Sequence, residues 1–353
     1  MNAEFFLAIA DIEREKGIPQ TYMLGKIEQA LLAALKKDYP ASAECAHVEL
    51  DPLEKTVSMY LEKTVVEAVE NANTQYSVEE ARETLPDAQP GDTIKEPVDT
   101  LRFGRIAAQA AKQVIIQGIR EAERNLVYDE FTSKEHEILT GIVTRVDQRT
   151  GSVTIQITSN AEQTEAVLPS GERIPSERLV DGSRIKVYVV EVRKTTHGPQ
   201  ILISRTHPGL VKRLFELEVP EIFEGIVEIR SIAREAGNRT KIAVESNDPD
   251  VEPVGACVGP KGGRVNEIVD QLGGEKIDII KYSDDPQEYI AAALSPSEVV
   301  SVTVLEDGKS CRVVVPDNQL SLAIGKEGQN VRLAARLTGF KIDIKAESNA
   351  QGS

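Results

Sequence analysis

Two short glycine segments carry the residues with the clearest chemistry in this chain, "GPKG" at 259–262 and "GKEG" at 325–328. Each precedes a stretch with helical spacing. Glycines leave no side chain between the backbone and a ligand, and the start of a helix favours an anion through its unpaired N–H groups and positive end. A lysine adds a cation to each segment. We therefore predict that both segments bind the phosphate backbone of a nucleic acid, with Lys261 and Lys326 as the cations.

The elements that position these segments occur twice. Each copy predicts a helix, two strands, a helix, the glycine segment, a helix and a closing strand, with "KIDI" in the strand at 276 and again at 341. The glycines recur at an offset of 66 positions, from 259 to 325 and from 262 to 328. A single Gly-x-x-Gly is weak evidence, because a plain corner between helices also uses glycine. Its recurrence in a duplicated unit favours the type II KH fold, whose loop grips about four nucleotides.

Before this repeat, residues 138–205 contain about five short strands separated by turns, which predicts a small barrel. The barrel resembles an S1 domain of the OB type. Its only aromatic residue is Tyr188, so stacking on bases should contribute little. Two interpretations stay open: a spacer barrel, or weak RNA binding by charge through Arg145, Arg149, Arg184, Lys186 or Arg193.

The front of the chain is acidic. Residues 1–130 hold 14 Lys and Arg against 24 Asp and Glu, a net −10, whereas residues 141–215 hold 11 against 7, a net +4. The pattern predicts helices near 2–16, 20–38 and 101–135, and a short helix capped by Ser77 with Glu80. Proline and glycine mark 87–99 as a turn region. An acidic front repels nucleic acid and suits a basic protein partner.

Several functional classes lack their motifs. The sequence contains no P-loop, no dinucleotide fingerprint, no H-E-x-x-H and no paired cysteines, so we expect no cofactor, no metal and no enzyme activity. An apolar run long enough for a membrane helix is also missing, and with three scattered cysteines we expect a cytoplasmic protein that does not enter membranes. Two alternatives stay open: an RNA-degrading phosphorolase, which needs a larger catalytic core, and an accessory module of a nuclease or ribosome.

Longer motifs carry a family resemblance, among them "FGRIAAQAAKQVI", "ISRTHP", "GACVGPKGGRVNEIV" and "QLSLAIGKEGQNVRLAARLTGFKIDI". The chain resembles the NusA family of bacterial transcription factors from its first helix to about 346. The resemblance implies a multidomain α+β protein. Its expected parts are an N-terminal α/β domain at 1–134, an S1 barrel at 135–206, tandem type II KH domains at 207–282 and 283–348, and a tail at 349–353.

The resemblance also implies function and partners. The front domain should dock on RNA polymerase, and the S1 and KH domains should contact nascent single-stranded RNA. Pausing, hairpin-dependent termination and, with other Nus factors, antitermination are the expected activities, and a monomer is the expected state. By this resemblance, RNA would be contacted by Arg264, Gln329 and Arg332 just beyond the loops and by the loop residues Gly259, Pro260, Lys261, Gly262, Gly325, Lys326, Glu327 and Gly328.

Overall fold

The chain divides into two units, Met1–Leu126 and Val127–Ser353. The structure is a computed structural model that describes residues 3–98, 100–159, 162–196 and 198–350. In the part of the chain it describes, no helix is long and apolar enough to cross a membrane.

The first unit is a four-stranded sheet packed with helices. Its elements are α1 (Ala3–Lys16), α2 (Gln20–Asp38), β1 (Ala46–Asp51), β2 (Thr56–Val66), β3 (Gln75–Ser77), α3 (Val78–Thr84), β4 (Thr93–Pro97) and the first part of α4 (Thr100–Thr132). Strand β2 is central: it pairs antiparallel with β1 and β4 and parallel with β3. Leu31 and Leu35 of α2 are fully buried in the core that α2 shares with α1, β1 and β2, whereas α3 and β4 pack in a smaller second cluster.

Two predictions for this unit had different outcomes. Helix α3 begins as predicted, because Ser77 Oγ accepts from Glu80 N at 3.2 Å while Glu80 Oε2 accepts from Ser77 N at 3.1 Å. The segment around 87–99 was expected to be a turn, but it contains strand β4. The turn residues only bracket that strand, since Pro90 and Gly91 precede it and Pro97 is its last residue.

The second unit begins with a barrel. Strands β5 (Ile138–Val146), β6 (Val153–Ser159), β7 (Glu162–Leu168), β8 (Arg184–Thr195) and β9 (Gly198–Ser204) pair antiparallel in the order β7-β6-β5-β8-β9. Strand β7 also contacts β9, so the sheet is nearly closed. Alternate residues Val153, Ile155 and Ile157 are fully buried inside it. The end of α4 adds Phe131 to this core.

The two repeats follow the barrel. The first, called KH1, contains α5 (Pro208–Glu218), α6 (Pro220–Phe223), β10 (Val227–Glu235), β11 (Arg239–Ser246), α7 (Pro253–Val258), α8 (Gly263–Gln271) and β12 (Lys276–Lys281). The second, called KH2, contains α9 (Pro286–Ala293), β13 (Ser301–Val304), β14 (Ser310–Val315), α10 (Leu320–Ile324), α11 (Gln329–Thr338) and β15 (Lys341–Ala346); α12 (Glu347–Ala350) follows.

Both repeats have the same sheet. The central strand pairs antiparallel with the strand before it and parallel with the closing strand, as β10-β11-β12 and as β13-β14-β15. That mixture is the type II arrangement, and the predicted fold class is confirmed. Of the predicted tail, residues 351–353 lie outside the described residues.

The domains of the second unit share cores. Ile174 and Tyr188 of the barrel pack in the KH1 core, and Ala233, Ala243 and Ile280 of the KH1 sheet pack in the KH2 core. Burial of apolar surface on both sides is the main force that holds such contacts. The barrel and the two KH domains are therefore joined by packed interfaces.

Candidate nucleic-acid interface

Both glycine segments form a short 3₁₀ turn between two helices, at Pro260–Gly262 after α7 and at Lys326–Gly328 after α10. The backbone shapes agree closely. Lys261 has φ 54° and ψ 27°, and its counterpart Glu327 has φ 53° and ψ 24°. The first glycines, Gly259 and Gly325, have φ 71° and 77°. The repeat recognised in the sequence is thus a repeat in the backbone.

The first glycine of each loop is required by space as well as by conformation. A Cβ on Gly259 would lie 2.6 Å from Cγ of Arg264, and one on Gly325 would lie 2.8 Å from the backbone nitrogen of Asn330. Positive φ also strains residues with a side chain. Lys261 and Glu327 accept that strain at the middle of the loops. Strained non-glycine residues concentrate at ligand-binding turns.

The hydrogen bonding of the loop amides differs from the prediction. The amides of Gly262 and Gly328 donate to the carbonyls of Gly259 and Gly325, each at 3.1 Å. These two N–H groups therefore close the turn and are engaged inside the loop, whereas we expected the glycines to present bare amides. The close approach allowed by glycine and the lysine charge still serve a phosphate.

Apart from the four loop glycines, which are half-buried, the predicted contact residues divide into two groups. Pro260, Lys261, Lys326 and Glu327 are exposed at the loop surfaces, where the sequence placed them. Arg264, Gln329 and Arg332 have protein partners instead, and each of the three is held by a carboxylate. Their predicted RNA contact stays a prediction.

The side chain of Arg264 is bound within KH1. Its side chain is 28% exposed, and Nη1 donates to Glu221 Oε2 at 2.8 Å and to the carbonyl of Ala256 at 2.6 Å. Ala256 lies in α7, the helix before the loop. Arg264 thereby ties the end of that helix to the start of α8.

Gln329 and Arg332 both reach Glu235 of KH1. Gln329 Nε2 donates to Glu235 Oε2 at 2.9 Å, and Arg332 Nε donates to Oε1 at 2.6 Å. The hydrogen bond from Arg332 is the main reason that the pKa of Glu235 lies below its usual range. Sequence reasoning missed Glu235, because its partners are about 95 positions away and no local pattern marks it.

Asn330 is a second residue that the sequence reading passed over. It is 2% exposed, and its amide nitrogen lies 3.0 Å from the carbonyl oxygens of both Leu294 and Ala323. The signal was available, since Asn330 stands 66 positions after Arg264 in the aligned repeats. A buried amide immediately after the loop indicates bracing of the loop.

In its described residues, the barrel has exposed charged side chains but no exposed tyrosine, phenylalanine or tryptophan. Tyr188 is 6% exposed and stacks on His207 of the KH1 start, with ring centroids 4.7 Å apart. Exposed cations include Arg145, Arg149 and Arg184, while Arg193 pairs with Glu191 at 2.6 Å. Neither interpretation of the barrel, a spacer role or weak RNA binding by charge, needs base stacking, and both stay open.

A cleft of about 470 Å³ lies between the barrel and KH1, beside their packed interface. Arg184 and Lys186 line its barrel side, whereas Glu267 and Asp270 line the KH1 side. The mixed charges do not favour a polyanion. The exposed lysine loops are the better candidates for an RNA site.

Comparison with known proteins decides the family. The model of the NusA N-terminal domain matches residues 4–125, that of the NusA-like first KH domain matches 205–282, and that of the NusA-like second KH domain matches 286–352. The transcription termination/antitermination protein NusA of Halalkalibacterium halodurans is 51% identical over 351 residues, which are 99% of this chain and 90% of that protein. The chain belongs to the NusA family.

Other NusA relatives agree. The protein of the same name from Bacillus subtilis is 50% identical over 99% of this chain and 93% of its own length. The one from Thermus thermophilus is 42% identical over 98% of this chain and 90% of its own length. The resemblance stated from the sequence motifs is confirmed, and the two glycine loops lie inside the two matched NusA-like KH domains.

Proposed function

We propose that this chain is a transcription elongation factor that binds RNA and RNA polymerase and modulates pausing, hairpin-dependent termination and antitermination. It acts by binding and not as an enzyme. The observation that carries this proposal is the pair of Gly-x-x-Gly loops with matching backbone angles in tandem NusA-like KH domains. The names of the relatives, transcription termination/antitermination protein NusA, support the process in which it acts.

The RNA contact is made by the loops and the helix starts behind them. The contact residues are Gly259, Pro260, Lys261, Gly262, Gly325, Lys326, Glu327 and Gly328. Glycines let the sugar–phosphate chain approach the backbone, and Lys261 and Lys326 neutralise phosphates. Arg264, Gln329 and Arg332 also hold the loops in shape through their protein partners. Contact with RNA is kept in this proposal for Arg264 and Gln329, which stand at the helix starts.

RNA polymerase is the partner of the first unit. Residues 1–130 carry a net charge of −10, which suits a basic protein surface and disfavours direct RNA contact. The two functions are thus divided between the two units of the chain. The polymerase contact brings the KH loops close to the emerging transcript, so weak RNA affinity is sufficient.

Further features belong to the proposal. The protein works as a monomer in the cytoplasm, and other Nus factors join it in antitermination. Domain boundaries lie at 134/135, 206/207, 282/283 and 348/349. No cofactor is needed, because docking and phosphate contact involve no covalent chemistry.

Transcription in vitro over a template with a pause site and an intrinsic terminator tests the function. Addition of the protein should lengthen the pause and change the fraction of terminated transcripts, and a variant with Lys261→Asp and Lys326→Asp should lose most of that effect. Identical pausing with and without the protein would refute the proposal. Incubation with labelled RNA and inorganic phosphate tests the phosphorolase alternative, which requires that the RNA be shortened.

A further inference from the structure

Helix α11, which begins directly after the second glycine loop, is attached at both ends to strand β10 of KH1. At its start, Gln329 and Arg332 donate to Glu235 at 2.9 and 2.6 Å. At its end, Ser231 Oγ donates to the carbonyl of Leu337 at 2.9 Å. The second loop is therefore positioned by a strand of the other domain.

Arg332 extends this attachment into the loop itself. Its Nη1 donates to the carbonyl of Glu327 at 3.1 Å, while its Nε donates to Glu235. One guanidinium thus links a KH1 carboxylate to the loop backbone at the strained middle position. Arginine is suited to such a link because its planar group donates in several fixed directions.

Among the residues that the structure describes, the first loop has no equivalent of this connection. The positions that correspond to Gln329 and Arg332 are Gly263 and Asn266, at the same offset of 66, and both are exposed. Duplication of the fold therefore does not require the connection. In the described part of the chain it occurs where the second loop meets KH1 and not at the first loop, which indicates a role in the relation between the two loops.

We propose that Glu235 is a positioning residue for RNA binding, which fixes the second loop relative to the first through Arg332 and Gln329. This inference rests on the proposed function, namely that both loops contact RNA. With the second loop fixed, RNA held at the first loop meets the second at a high effective concentration. Arg332 then contributes to affinity through Glu235 and not by direct contact with RNA.

The test compares RNA of two lengths, because one loop grips about four nucleotides and a strand of about 12 can engage both. Affinities of the full chain for unstructured RNA of each length are measured for the wild type, Glu235→Gln, Arg332→Gln and the double variant. We expect each single variant to weaken the long RNA about five-fold. Glu235→Gln should leave the short RNA unchanged, because the hydrogen bond from Arg332 to the carbonyl of Glu327 does not involve Glu235. The double variant should be no weaker than either single one.

Direct contact between Arg332 and RNA predicts a different result. Glu235→Gln would then free Arg332 and leave the long RNA bound as tightly as before or more tightly, and this outcome overturns the inference. Glu228→Gln is the matched control, since Glu228 lies on the same strand with a side chain 52% exposed. It should leave both affinities unchanged.

The same titrations separate this inference from the proposed function. If Lys261→Asp with Lys326→Asp binds the long RNA as tightly as the wild type, the loops are not the RNA site and both proposals fail. If the lysine variant loses affinity while Glu235→Gln does not, only the positioning role fails. Circular dichroism of Glu235→Gln checks that the isosteric change leaves the fold intact.

Discussion

Arg264 and Asn330 stand 66 positions apart at the same place in the two repeats, and both bind the helix that precedes their glycine loop. Arg264 Nη1 donates to the carbonyl of Ala256 at 2.6 Å, and Asn330 Nδ2 lies 3.5 Å from the corresponding carbonyl of Leu322 and 3.0 Å from that of Ala323. An extended cation and a short amide thus brace the same corner. The loop shape is kept while the side chains behind it differ.

Replacement of the buried amide should loosen the second loop. Asn330→Ala leaves the carbonyls of Leu294 and Ala323 without this donor, at a cost of about 1–3 kcal/mol. Native-state hydrogen exchange of the α10 and α11 amides measures the loss. Asn318→Ala, at an exposed position in the same domain, serves as the control and should change protection by less than about 0.5 kcal/mol.

Alanine substitution at two nearby glycines, Gly259 and Gly263, should have different effects on stability. Gly259→Ala places a methyl group against Arg264 at positive φ and should lower the stability of KH1 by about 1–3 kcal/mol. Gly263→Ala has a helical φ of −59° and open space around its Cβ, so it should be neutral or slightly stabilising. Hydrogen exchange in α7 and α8 distinguishes them, and equal effects would contradict the steric explanation.

The loop lysines should act through charge. For single-stranded RNA the slope of log affinity against log salt is about −0.7 per phosphate neutralised, so Lys261→Asp with Lys326→Asp should flatten it by about 1.4. Fluorescence anisotropy at several salt concentrations gives the slope. Lys309→Asp reverses an exposed charge in the turn between β13 and β14 and should reduce the slope less. Polymerase binding should stay intact in all three proteins.

An aspartate beneath the KH1–KH2 interface should make the stability of that interface fall at acid pH. Asp278 accepts from Arg239 at 2.7 Å and from the fully buried Lys241 at 2.9 Å, and Lys241 also donates to the carbonyl of Ser295 in KH2 at 2.7 Å. Burial alone would raise the pKa of Asp278, but these hydrogen bonds outweigh it and lower the pKa.

The lowered pKa of Asp278 determines how stability changes with pH. A lowered pKa contributes stability that is complete above the unfolded value of about 3.9 and is lost as the pH falls through the folded value. Asp278→Asn leaves Lys241 buried without a counter-charge and should cost about 3 kcal/mol at neutral pH, with a flatter acid limb. Asp343→Asn is the matched control. Asp343 stands at the position of Asp278 in β15, the closing strand of KH2, but it is exposed. Urea titration measures the free energy of unfolding of both variants. Equal losses of stability in the two would contradict the argument.

Local pattern was sufficient for most of the fold. Caps such as Ser77 with Glu80, the β-branched strands and the 66-residue offset all act over short distances or repeat, so the sequence displays them. Strand β4 was missed because it is only five residues long and turn residues surround it. The first glycines and exposed lysines of the loops were likewise predictable, since glycine chemistry is local.

The contacts behind the loops were not predictable. Glu235 meets Gln329 and Arg332 only after two domains have packed, and nothing in "IAREAG" marks that carboxylate as different from its neighbours. Tyr188 shows the same limit: its type suggests a base-stacking surface, but packing against His207 buries it. Long-range packing decides which polar residues stay free for a ligand.

Photo-crosslinking of RNA that contains 4-thiouridine tests the central claim most directly, because it reports the protein residues that lie against the bound strand. The full chain is irradiated with the 12-nucleotide RNA and digested, and the adducts are located by mass spectrometry. We expect the adducts to concentrate at 259–264 and 325–330. Adducts confined to the barrel or the first unit, with both glycine loops unmodified, would contradict the account.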